Sequence, residues 1–167
     1  KIYLVENNND IKKLEISSPE VAYVTQTTLS VDETRELINS LKEKFPGIIG
    51  PSADDICYAT QNRQDAVKQL SLECQIVLVI GSQTSSNSNR LKELAEKCGT
   101  KSFLIDDKTD IDLNSLKDAT SVGITAGASA PEEIVQEVIS FLVPLGFKTV
   151  RNLSENNENM TLSLIHI

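Results

Sequence analysis

The chain has 167 residues, with 24 Asp and Glu against 16 Lys and Arg, a net charge of −8. Its 40% hydrophobic and 24% charged residues describe a folded globular protein of one domain or two small ones, long enough to bury a core. The acidity argues against binding nucleic acid through net charge, which needs many Lys and Arg contacts to phosphates, and no apolar run approaches the ~20 residues of a membrane span.

Three scattered cysteines, Cys57, Cys74 and Cys98, form no disulfide framework, and no secretory leader opens the sequence. The expectation is a reducing cytoplasm. Lys1 runs directly into the apolar Ile2-Tyr3-Leu4-Val5, which reads as the interior of a longer protein.

Residues 2–5 and 21–26 are short β-like runs, and Asn7-Asn8-Asn9-Asp10 between them is turn-rich and predicts the start of a short helix. Ser30-Val31-Asp32-Glu33 has the form of a capping box, Ser at the cap and Glu three residues on. Leu37, Ile38, Leu41 and Phe45 follow at helical spacing, and Pro46-Gly47 ends that helix. Ile48-Ile49-Gly50-Pro51 reads as a brief strand and exit, and Ser52-Ala53-Asp54-Asp55 as a boundary.

Beyond it the spacing predicts a helix over 61–73, with Ala66, Val67 and Leu70 inward. The continuous apolar run Ile76–Ile80 predicts a strand buried on both faces. Leu91, Leu94, Ala95 and Cys98 mark the next helix, closed by Gly99. Ser102–Ile105 and Val122–Thr125 are two further strands, with a short helix over 112–118 between them. Ser129-Ala130-Pro131-Glu132 gives a second capping-box pattern before the stripe Ile134, Val135, Val138, Ile139 and Leu142, stopped by Gly146. Strands alternating with helices from 54 to 150 predict a parallel sheet with helices packed on it, an α/β protein.

After Val150 the chain becomes polar and Asn-rich, a stretch expected to be loose. Its last six residues, Leu162–Ile167, resemble translated sequencing-adapter read-through; the alternative is a frayed natural terminus. The single histidine, His166, lies there and is assigned no catalytic role.

In an open parallel sheet, ligands bind beyond the carboxyl ends of the strands. Thr25–Ser30, Gly81–Arg90 and Thr125–Pro131 are polar loops in that position, each leading into a helix N-terminus. Backbone N–H groups at the positive end of a helix dipole favour phosphate, and Ser, Thr and Asn add donors without net charge. For Ser30 and Ser129 the simpler reading is capping of their own helices; three such loops on one edge favour a phosphate site.

Cys57 lies just before a helix, whose dipole lowers a thiol pKa, while Asp54 and Asp55 raise it. On spacing alone it reads as a buried structural cysteine, as do Cys74 and Cys98. Arg63 and Arg90 fit either phosphate or acidic neighbours equally well. Asp106-Asp107, at a strand end, caps or turns the chain, and no Ser-His-Asp triad can be assembled.

Four segments, Thr25–Ser30, Asp54–Thr60, Ser85–Arg90 and Gly127–Pro131, together and in this order closely resemble the 4-hydroxy-3-methylbut-2-enyl diphosphate reductase family, also called IspH or LytB. The resemblance spans residues 1–147. It implies an iron–sulfur oxidoreductase of the non-mevalonate isoprenoid pathway. Such an enzyme removes the allylic hydroxyl of its diphosphate substrate by two-electron reduction, giving isopentenyl and dimethylallyl diphosphate.

The implied fold is a set of three αβα lobes with mostly parallel sheets around a [4Fe-4S] cluster. Three cysteines hold that cluster, its fourth iron is open, and ferredoxin or flavodoxin supplies the electrons. By resemblance Cys57 is the last cluster ligand and Thr27, with Thr28 beside it, is the active-site threonine. Ser85, Ser86, Asn87 and Ser129 are the implied diphosphate ligands.

The family's other two cluster cysteines, its glutamate and its histidines match nothing in the sequence, and Cys74 and Cys98 fit no ligand position. The resemblance therefore implies that residues 1–53 are the C-terminal half of the middle lobe and 54–150 the third lobe; 151–167 read from their composition as a disordered tail, whose last six residues are either non-native or a frayed natural terminus. On this reading the chain as given is an inactive fragment. The alternative is a non-catalytic module that binds phosphate ligands.

Overall fold

The computed structural model describes residues 1–18, 20–51, 58–153 and 163–166, the last four by backbone alone. The chain divides into two compact units, Lys1–Cys57 and Tyr58–Ile167.

In the first unit, α1 (Asn8–Lys13) opens on a capping box. Asn7 Oδ1 accepts from the backbone N–H of Asn9 and Asp10 at 2.9 and 3.2 Å, and Asp10 Oδ2 accepts from Asn7 N–H at 3.2 Å. Helix α2 (Val31–Lys44) is capped by Ser30, whose hydroxyl accepts from Glu33 N–H at 3.5 Å. Lys44 at its end donates to the carbonyls of Ile11 and Lys12, 2.7 Å each, and so joins the C-terminal ends of the two helices. The β-like runs at 2–5 and 21–26 form no strand. Ala22 and Ile49 make a single parallel bridge, with Tyr23 N–H on the Ile49 carbonyl at 2.9 Å. Ile2 and Leu4 are exposed. A β-like run needs a neighbouring ladder to become a strand, and none reaches them among the described residues.

The second unit is a doubly wound sheet. Its elements are α3 (Tyr58–Glu73), β1 (Ile76–Ile80), α4 (Ser86–Lys97), β2 (Lys101–Ile105), α5 (Leu113–Leu116), β3 (Ser121–Ala126), α6 (Glu132–Leu142), β4 (Thr149–Asn152) and β5 (Ser163–His166). The strand order is β2-β1-β3-β5-β4. Strand β1 pairs in parallel with β2 and β3, while β5 runs antiparallel between β3 and β4. Of the Asn-rich stretch 151–159 whose composition predicts a loose chain, Arg151 and Asn152 end β4 and residues 154–159 lie outside the described residues; β5 takes Ser163–His166.

Alternation along β1 sends its side chains to two cores. Ile76, Leu78 and Ile80 meet Val135, Val138 and Leu142 of α6 on one face. Val77 and Val79 meet Val67 and Leu70 of α3 and Leu91 and Leu94 of α4 on the other. Both faces are covered, which is why the run carries no polar residue.

The second capping-box expectation is corrected. The N-cap of α6 is Pro131, and no side chain caps it. Proline fixes an extended backbone one residue before the helix, which leaves Ser129 two residues short of the cap position.

Candidate functional site

The strand order creates the site. From β1 the chain passes through α4 to β2 on one side, then returns past β1 to β3 on the other. The loops leaving the carboxyl ends of β1 and β3 therefore diverge to opposite faces and open a crevice between neighbouring strands. Ile80 and Ala126 stand side by side in the register, so Gly81 and Gly127 begin the two loops next to each other. Gly127 N–H donates to the Ile80 carbonyl at 2.8 Å, and Gly81 N–H to the Ile105 carbonyl at 2.9 Å.

The first loop is built from its own hydroxyls and amides. Ser82 and Thr84 share a hydrogen bond of 2.9 Å, and Ser85 N–H closes a turn on the Ser82 carbonyl at 2.9 Å. Asn89 donates from its amide to the carbonyls of Gln83 and Ser85 at 2.6 and 2.9 Å, tying the loop to α4. Ser85 is the N-cap of α4, and its hydroxyl accepts from Ser88 N–H at 3.3 Å. Asn87, in the first turn, is 7% exposed. Neither its Oδ1 nor its Nδ2 has a hydrogen-bond partner among the described residues. An amide buried without partners costs about 1–3 kcal/mol, and a ligand oxygen accepting from Nδ2 relieves the donor's share of that cost. The first turn of α4 holds no acidic residue, so the partial positive charge of its N-terminus is unanswered from within the helix.

The second loop differs. Ala130 N–H donates to the Gly127 carbonyl at 3.0 Å and closes a turn that presents Ser129 to solvent. Because Pro131 is the N-cap, the Ser129 hydroxyl is not consumed by the helix. Helix α6, however, opens on Glu132 and Glu133, which answer its own dipole. Of the two helix N-termini at this edge only that of α4 is free of acidic residues, and the second loop offers the Ser129 hydroxyl.

The structure thus brings Ser85, Ser86, Asn87 and Ser129 to one sheet edge. Thr27 and Thr28 belong to the first unit, in the turn closed by Leu29 N–H on the Gln26 carbonyl; Thr27 is exposed and Thr28 half-buried. Cys57 lies outside the described residues. Arg90 pairs with Glu93 at 2.8 Å, the structural role open to it in the sequence. Asp107 caps a short 3-10 turn, and its hydrogen bonds from the Thr109 hydroxyl and N–H hold its carboxyl below the usual range.

Among the described residues no group of three or more His, Cys, Asp or Glu is placed to hold a metal ion. Cys74 is buried, and desolvation, with the Glu73 charge adding to it, pushes its thiol up to about 12. A cluster ligand must be a thiolate, so Cys74 is unsuited. Cys98, which the sequence pattern reads as a buried core residue, is instead exposed: it is the C-cap of α4, at the end of that helix away from the crevice. The described residues therefore do not fit an iron–sulfur cluster.

The burial or bonding of three residues escapes single-sequence reading. Ser88 and Thr125 are fully buried beside the loops, and Thr125 Oγ1 has no partner. Arg63 donates to the carbonyls of Ala126 and Ala59 at 3.2 and 3.1 Å, linking the first turn of α3 to the last residue of β3. Ser88 reaches Gly127 and Arg63 reaches Ala126, contacts remote in sequence that leave no local pattern.

The sequence profile of the LytB protein family matches residues 1–143. The 4-hydroxy-3-methylbut-2-enyl diphosphate reductases of Saccharophagus degradans and Alcanivorax borkumensis are 56% and 53% identical over 164 residues, 98% of this chain and 53% of each relative. The chain thus spans about half the length of the curated relatives it matches. Among solved structures, the E-1-hydroxy-2-methyl-but-2-enyl-4-diphosphate reductase of Plasmodium falciparum superposes with a TM-score of 0.85 at 34% identity, covering 96% of this chain and 52% of that one. An (E)-4-hydroxy-3-methyl-but-2-enyl diphosphate reductase, described as the terminal enzyme of the non-mevalonate pathway, gives 0.52 at 26% identity, covering 81% and 46%. Family profile, relatives and fold agree: the chain belongs to the LytB family.

Proposed function

We propose that this chain is the C-terminal part of a 4-hydroxy-3-methylbut-2-enyl diphosphate reductase and supplies the edge that holds the substrate's diphosphate. One observation carries the reading: the switch-point crevice, where Asn87 is buried without a partner at a helix N-terminus free of acidic residues. Ser85, Ser86 and Asn87 on one loop and Ser129 on the other are the proposed diphosphate ligands. Thr27 is proposed to stand near the substrate hydroxyl, with Thr28 beside it. Cys57 is the proposed last ligand of a [4Fe-4S] cluster, with ferredoxin or flavodoxin as electron donor in the cytoplasm. Residues 1–53 are assigned to the middle lobe, 54–150 to the third lobe and 151–167 to a tail.

Apart from Cys57, which lies outside the described residues, the role proposed for this chain is binding and orientation. Anchoring a diphosphate remote from the reacting carbon fixes that carbon in place, so binding free energy lowers the entropic part of the barrier. Serine and asparagine supply that anchor as neutral donors, in keeping with an acidic chain.

Two experiments test the reading. Anaerobic reconstitution of the 167-residue chain should leave it without a stable cluster; about four irons with absorbance near ~400 nm would refute the ligand assignment. In a reductase containing this chain, Cys57→Ser should abolish cluster and turnover. If pyrophosphate affinity and every activity survived that change, the non-catalytic phosphate-binding module would be the better reading.

A further inference from the structure

Ser88 is fully buried in the first turn of α4, between the two loops. Its hydroxyl donates to Ser85 Oγ at 3.0 Å, and its N–H donates to the same oxygen at 3.3 Å. A serine hydroxyl has two acceptor positions and one hydrogen. With both acceptor positions taken, Ser85 can only donate, and its hydrogen must go to another acceptor.

The same side chain fills the gap between the strand ends. A Cβ added at Gly81 would stand 2.2 Å from Ser88 Oγ, and one added at Gly127 would also stand 2.2 Å from it. Gly81 opens the loop that carries Ser85, and Gly127 opens the loop that carries Ser129. The Ser88 side chain thus touches both loop origins at once, and its packing sets their separation.

We infer that Ser88 is a positioning residue for the diphosphate. It commits the Ser85 hydroxyl to donating toward a diphosphate oxygen, and it holds the two ligand-bearing loops at one spacing. This inference rests on the diphosphate reading of the crevice and adds a residue that does not itself touch the ligand.

The test is an NMR titration of the 15N-labelled 167-residue chain with inorganic pyrophosphate, comparing Ser85→Ala, Ser88→Ala and the double variant. In the unsubstituted chain, amides of 85–88 and 127–130 should shift. Ser85→Ala and Ser88→Ala should each raise Kd roughly three- to tenfold, the scale of one lost hydrogen bond. The double variant should lose less than the sum of the two single losses, because the part of the Ser88 effect that runs through Ser85 is already gone once Ser85 is alanine; a general loss of packing would add in full. Dispersed amide signals from β1 and β3 in each variant report that the sheet is intact. Unchanged affinity in Ser88→Ala while Ser85→Ala weakens binding would overturn the inference and leave the diphosphate reading standing. So would losses that add in full. If pyrophosphate shifts neither loop in the unsubstituted chain, the diphosphate reading fails and the inference with it.

Discussion

Gly127→Ala probes the packing at the crevice most directly. The backbone of Gly127 is not in a positive-φ conformation, so alanine meets no conformational strain there, unlike at Gly81, whose φ is 157°. The new methyl would lie 2.2 Å from Ser88 Oγ, well inside contact distance. Rotating that hydroxyl away sacrifices its bond to Ser85 and, on the other side, meets Gly81. Forced overpacking of this kind costs about 1–3 kcal/mol. The reduced freedom of the unfolded chain returns about 0.4–1 kcal/mol, for a net loss of about 1–2 kcal/mol. In a Ser88→Ala background the clashing oxygen is gone. The next contacts are Ser88 Cβ at 3.5 Å and the Ile80 carbonyl at 3.7 Å, ordinary van der Waals distances. Ser88→Ala alone should cost about 1 kcal/mol for its hydrogen bond, and adding Gly127→Ala to it should cost nothing further. The cycle therefore predicts a favourable coupling of about 1–2 kcal/mol. Hydrogen exchange of peptides covering β1 and β3, read as opening free energy, measures it in all four chains. A Gly127→Ala chain as protected as the original, or a double variant that loses the sum of both single losses, would refute the wedge.

Arg63→Met should lower protection at the end of β3 by about 1–2 kcal/mol, because the carbonyls of Ala126 and Ala59 lose a shared charged donor. Arg63→Lys should recover little of it, since one ammonium cannot reproduce the guanidinium fork. Hydrogen exchange over 121–130 checks both. Cys74 and Cys98 should separate sharply in alkylation at pH 8.5. With its thiol pushed up to about 12, Cys74 is ionised several hundredfold less than an ordinary cysteine, and peptide-resolved mass spectrometry should show it slow. The same shift makes the unfolded chain ionise first, so Cys74's contribution is whole below about pH 9 and is lost as pH rises toward 12. Urea unfolding at pH 8 and 10.5 should show a smaller pH-dependent loss for Cys74→Ala; an identical loss in both chains would contradict the burial of the thiol.

The second unit was legible wherever burial writes itself into local pattern. Ile76–Ile80 is apolar at every position because both faces of β1 are covered, and the strand has the bounds the run predicts. The stripe from Ile134 to Leu142 reads as a helix because one face of α6 meets the sheet. Pattern failed where the deciding partner is distant or competes locally. Residues 2–5 carry β-like residues and pair with nothing described, and Ser129 has a capping-box spacing that Pro131 overrides. The two polar loops at the sheet edge could be located from composition and order along the chain. Their spacing could not, because it depends on one serine caught between two glycines that the strand order brings together.

Net charge is a poor guide to what this chain can bind, and the helix starts show why. Helices α1, α2 and α6 open on Asp10, on Asp32 and Glu33, and on Glu132 and Glu133. Helices α3 and α4 open on none, nor does the one-turn α5. The first two follow the Cys57 and Ser85 segments that carry the family resemblance. At physiological ionic strength, charges more than about 8 Å away across solvent are largely screened. The potential felt by an anion at Ser85 is therefore set by the first turn of α4, the orientation of the Ser85 hydrogen and the Asn87 amide, and little by a total of −8. An acidic protein can hold a diphosphate with neutral donors on this condition: its acids must be kept out of one helical turn, and the donors there must be prevented from satisfying one another. Ser88 meets the second requirement for Ser85 by taking up its acceptor positions, and burial without a partner meets it for Asn87.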